Sequence, residues 1–80
     1  MISLIMSALL MSDCPVYQEL NQTIMAVRQQ GHNINVAKRA AGKEYESIVD
    51  QAYSLERKKT KYAQGQAAID FGEKAYKACI

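Results

Sequence analysis

Apolar residues recur every seven positions through the second half of the chain. Ile48, Leu55, Tyr62, Ile69 and Tyr76 form an unbroken series that only a helix can gather onto one face. The positions three residues before each are Tyr45, Ala52, Lys59, Gln66 and Glu73, so the combined seam is apolar at one end and half polar toward the other. That is an amphipathic helix in need of a covering partner. The spacing predicts one long helix from about Glu44 to Ala78. Glu44 and Glu46 suit its first turn, where negative charge meets the positive end of the peptide dipoles.

A second series runs upstream through Leu20, Val27 and Ile34, with Val16 and Ile24 filling the spacings of three and four between them. Asp13-Cys14-Pro15 is a start signal for this helix, because the Asp13 side chain can accept orphan amide hydrogens and proline is tolerated in a first turn. Gln29-Gln30-Gly31-His32-Asn33 interrupts the pattern. Either residues 15–41 form one helix bent near Gly31, or it ends at Gln30 and another starts near Asn33 or Asn35. Gly42-Lys43 is the next break.

Two all-α topologies follow. A reversal near Gly42 gives an antiparallel helical hairpin whose seam sets Leu20, Val27 and Ile34 against Ile48, Leu55, Tyr62, Ile69 and Tyr76. Breaks near Gly31 and Lys58–Thr60 give instead a three- or four-helix up-down bundle. The hairpin is preferred, because the apolar series shows no break in its second half. The cysteines separate the two readings. In the hairpin Cys14 and Cys79 come together at the open end, whereas three helices running up, down and up would leave them about 30 Å apart, far beyond disulfide reach.

Residues 1–12 stand apart from the single helical domain expected over 13–80. They hold Ile2, Leu4, Ile5, Met6, Leu9, Leu10 and Met11 and no charged side chain. As a helix they would reach across about half of a ~30 Å hydrocarbon layer, too short to span it. The segment matches the apolar part of an export signal with cleavage near Ser12, although no Lys or Arg precedes it. The other reading is a short helix that packs on the rest.

Composition sharpens this picture in one respect. At 80 residues a chain buries only about 60 % of its surface, so its core is thin and reinforcement by a disulfide, a metal or a second copy is expected. One histidine, His32, and two isolated cysteines offer no ligand spacing for a metal, and no cofactor is implied. That leaves a second copy of the chain, a homo-oligomer, or a Cys14–Cys79 disulfide, and the disulfide bears on the compartment. It places the protein in the periplasm or outside the cell; two reduced thiols in a cytoplasmic protein are the alternative.

The chemistry expected is that of contact. No nucleophile stands with a recognisable base, and no glycine-rich phosphate loop is present. Lys38, Arg39, Lys43 and the run Arg57-Lys58-Lys59-Thr60-Lys61 spread around their helices and lack the aromatic or polar base readers of a nucleic-acid module. Asn21-Gln22-Thr23 has the form of a glycosylation acceptor but falls within a helix, so it is discounted. Tyr53 lies off the seam, while Gly65, Ala68 and Gly72 share one side of the long helix and would let another helix approach closely. These four are the expected partner contacts.

The function expected is that of a small exported helical protein that binds another chain or itself, without catalysis. A cytosolic adaptor or chaperone-like subunit, and a small protein lying on a membrane through residues 1–12, are the alternatives. If the cysteines are paired, reduction raises the intact mass by two hydrogens and exposes two alkylatable thiols; equal masses before and after reduction would remove the argument for the exported compartment.

Overall fold

The computed structural model describes residues 13–80. The readings of residues 1–12 as a signal, a packing helix or a membrane contact lie outside the described residues. Four helices follow: α1 (Cys14–Gln29), α2 (Ile34–Ala41), α3 (Glu46–Ser54) and α4 (Lys61–Cys79), with a single 3-10 turn, Lys43–Tyr45, ahead of α3. Each break has a local cause. Asp13 accepts from the Val16 amide at 3.3 Å and so starts α1. Gly31, at φ +89°, takes the left-handed conformation that ends α1, and the Asn33 side chain then caps α2 through the Asn35 amide at 2.7 Å. Gly42, at φ +96°, ends α2.

The chain forms a hairpin whose arms are α1 and α4, packed antiparallel along their length. Cys14 and Cys79 meet at its open end with Cα atoms 5.7 Å apart and sulfurs at bonding distance. Between the arms, α2 and α3 make a short excursion that leaves and rejoins the far end of α1. The Tyr53 hydroxyl there reaches the His32 carbonyl, and Lys38 on α2 pairs with Asp50 on α3 at 3.2 Å. The turn is thus two short helices, where a single reversal at Gly42 was expected.

The long helix expected from Glu44 to Ala78 is two helices. Leu55 is extended, at φ −90° and ψ 151°, and the Thr60 hydroxyl restarts the helix by accepting from the Ala63 amide at 3.1 Å. The seven-residue seam does not survive this break. Ile48 is buried, and Leu20, Val27 and Ile34 pack half-buried on the core. Leu55, Tyr62 and Ile69, however, are 49 %, 82 % and 40 % exposed, and Tyr76 is only half-buried. The reason is phase: once residues 55–60 leave the helix, α4 is free to rotate, and it turns its small residues toward α1.

The core is accordingly Ile24 and Met25 of α1, Ala37 of α2, Ile48, Val49 and Ala52 of α3 and Ala68 of α4. Gly72 lies so close to α1 that a Cβ there would meet the Gln18 carbonyl oxygen at 2.9 Å. Gly72 and Ala68, expected to receive a partner chain, are filled by the protein's own first helix. Met25→Ala, at a side chain that is 1 % exposed, should lose about 2–5 kcal/mol of stability by removing packed atoms and leaving a void. Leu55→Ala should change it by about 0.5 kcal/mol or less; chemical denaturation of both variants checks the contrast.

Candidate functional site

Where α1 ends, its last residues hold the connection that precedes α4. The Gln29 side chain is 2 % exposed and spends both ends on that connection. Its Nε2 donates to the Glu56 carbonyl at 3.1 Å and its Oε1 accepts from the Lys58 amide at 2.7 Å. The Gln29 backbone carbonyl, orphaned at the helix end, accepts from Arg57 Nε at 2.8 Å. Arg28 Nε donates to the Leu55 carbonyl at 3.2 Å. Residues 55–58 thereby gain the hydrogen bonds that an uninterrupted helix would have given them.

Arg28 also lies over the Tyr53 ring, 5.1 Å from its centroid, within the range of cation–π attraction. The Tyr53 hydroxyl donates to the His32 carbonyl at 2.8 Å. Burial pushes this hydroxyl's pKa up, with the Arg28 cation pulling the other way, so the ring remains a neutral donor across the physiological range. Tyr53, expected to face a partner, is a latch between α3 and the α1–α2 turn.

Holding residues 55–58 on the end of α1 separates α3 from α4, and an open groove of about 620 Å³ runs between them. Met25 and Gln29 form its floor. Ser54 and Leu55 stand on one wall, and Ala67 and Phe71 on the other. The rims carry both signs of charge, Glu56 and Lys58 on one side and Asp70 and Lys74 on the other. A smaller recess of about 290 Å³ shares Gln51, Phe71 and Lys74 and extends toward Tyr17 and Ala78, near the disulfide end.

The exposed lining of the groove is more apolar than polar. Gln29, the buried polar group in its floor, is already bonded internally, and what the groove presents outward is chiefly the side chains of Leu55, Phe71 and Ala67. Among the described residues no three His, Cys, Asp or Glu side chains gather to hold a metal ion. Asn21, the glycosylation candidate, is 3 % exposed and donates to the Tyr17 carbonyl at 2.8 Å, so the folded chain does not offer it. Of the sequence-predicted contacts, Gly65 alone is open, with nothing within 4 Å of a Cβ placed on it.

No protein-family model, curated protein or solved structure matches the chain. The residues that shape the groove went unread in the sequence because Gln29 looks like any surface glutamine near a helix end. The restart was signalled by Thr60, a good capping residue three positions before Ala63. Gln29→Leu keeps a similar bulk but removes both side-chain hydrogen bonds. It should lower stability by about 1–3 kcal/mol and speed hydrogen exchange at the Lys58 amide; unchanged protection at Lys58 would mean that the connection is held by other contacts.

Proposed function

We propose that this is an exported helical protein that acts by holding a helix of another protein chain in the groove between α3 and α4, with no chemical step of its own. The observation that carries this reading is Leu55. It is a large apolar side chain, 49 % exposed, fixed on the groove's wall by a backbone carbonyl that Arg28 holds. A groove with apolar walls and a satisfied polar floor suits an amphipathic helix that inserts one or two apolar side chains, its flanks meeting Lys58 and Lys74 or Glu56 and Asp70.

The compartment reading rests on the Cys14–Cys79 pair, since a disulfide of this kind persists in the periplasm or outside the cell. Its sequence separation of 65 closes a loop worth about 4 kcal/mol in the chain-entropy picture. For a domain of this size that is a large share of total stability. Export and stability are thereby linked: a reducing compartment would remove the closure on which α1 and α4 rely.

Replacing Leu55 by a photoreactive benzophenone amino acid in the native host should give, on illumination, one discrete adduct in the exported fraction, identifiable by mass spectrometry. The same replacement at exposed Lys59, outside the groove, should give none. No adduct from position 55, or the same adducts from both positions, would overturn the groove as the receiving surface.

A further inference from the structure

The connection between α3 and α4 collects charge of one sign. Arg57-Lys58-Lys59-Thr60-Lys61 begins after α3 has ended at Ser54, and only Lys61 of the run belongs to α4, so these residues are not dispersed around a helix as their sequence suggests. Residues 54–62 are exposed without interruption. Arg28 joins them from the end of α1, donating to the Leu55 carbonyl at 3.2 Å. Arg57 lies against the same end, its guanidinium carbon 3.0 Å from where a Cβ on Gly31 would stand. Five of the chain's ten basic residues and one of its eight acidic ones, Glu56, are thereby gathered at the closed end of the hairpin. Glu56 pairs with Lys58 at 3.1 Å, and Arg28, Arg57, Lys59 and Lys61 make no ion pair among the described residues.

We propose that this closed end is a docking surface for a membrane with anionic headgroups. Charge supplies the attraction, each lysine or arginine near such a surface being worth about fivefold in partitioning. The two arginines are already aimed: their Nε atoms are spent on the Leu55 and Gln29 carbonyls, and no hydrogen bond among the described residues takes their terminal amines, which suit phosphate oxygens. The loop's backbone favours lipid over a soluble polyanion. The Leu55, Glu56 and Lys58 carbonyls accept from Arg28, Gln29 and Gln64, and the Leu55 and Lys58 amides donate to Ala52 and Gln29. A loop whose polar backbone is paired inside the protein loses little when a headgroup layer displaces its water. Tyr62, next to Lys61 and 82 % exposed, adds an amphipathic ring of the kind that sits at headgroup level.

The rest of the chain orients the encounter. Outside the closed end seven acidic residues stand against five basic ones, so the molecule's field has a positive pole at residues 57–61, and an anionic surface meets that pole first. The four unpaired cations lie outside the groove lining and their occupant is not a protein, so this inference does not rest on the function proposed above.

Co-sedimentation of the oxidised full chain tests it, with vesicles of phosphatidylcholine alone and of equal parts phosphatidylcholine and phosphatidylglycerol. Partition onto the anionic vesicles should exceed that onto the neutral ones at least about tenfold, and should fall at least about tenfold in the double variant Lys59→Glu/Lys61→Glu. Its circular dichroism should be unchanged, since both positions are exposed and an acidic residue suits the first turn of α4. Lys43→Glu/Lys77→Glu makes the same change of net charge at exposed positions elsewhere and should lower partition by less than about threefold. The chain holds no tryptophan, so Tyr62→Trp places a single fluorophore at the surface. Its emission should shift to the blue on anionic vesicles, which binding through residues 1–12 alone would not produce. Equal binding to both kinds of vesicle, equal loss in the two double variants, or an unshifted tryptophan overturns the proposal. So does release from the vesicles by duplex DNA or polyglutamate at a charge equal to that of the lipid, which would assign the patch to a soluble polyanion.

Discussion

The structure depends on α1 and α4 being held in register at both ends. At the open end the bond between Cys14 and Cys79 fixes the start of one helix to the finish of the other. At the closed end the Gln29 carboxamide grips the backbone of residues 56 and 58. Between them the two helices touch closely enough that Gly72 admits no side chain against the Gln18 carbonyl. A thin two-arm contact made largely of small residues contributes little hydrophobic burial per turn. Clamps at both ends supply what the interface lacks, one covalent and one through buried hydrogen bonds.

The groove is a consequence of the second clamp. Because residues 55–58 are drawn onto the end of α1, α3 approaches the core from one side of α1 and α4 runs along another. The wedge between them is floored by Met25 and Gln29. The same rotation of α4 that presents Ala68 and Gly72 to α1 carries Phe71 to the groove and leaves Tyr62 and Ile69 on the opposite flank. Two exposed apolar flanks therefore arise, among the described residues, from one packing decision.

Much of the architecture was legible because its signals are local. The Asp13 cap, the Gly31 and Gly42 breaks and the Asn33 cap each depend on residues within a few positions of one another, and the structure uses all four. The all-α class and the meeting of the chain's two cysteines were likewise readable. The long second helix was misread because a seven-residue repeat carries no information about continuity. Ile48, Leu55, Tyr62, Ile69 and Tyr76 keep their spacing on paper whether or not the backbone between 55 and 60 stays helical.

What the sequence determined by itself was the set of helices that nearest neighbours can start and stop, and the single pair of cysteines near the two ends of the helical domain. What only the tertiary structure decided was which face of each helix looks inward. That choice turned on Gln29 meeting a backbone 27 to 29 residues away and on Gly72 fitting beneath Gln18. These are contacts between distant residues whose individual side chains carry no mark of their partner, so the rotation of α4, and with it the groove and the exposure of Tyr62 and Ile69, became visible only once the chain was folded.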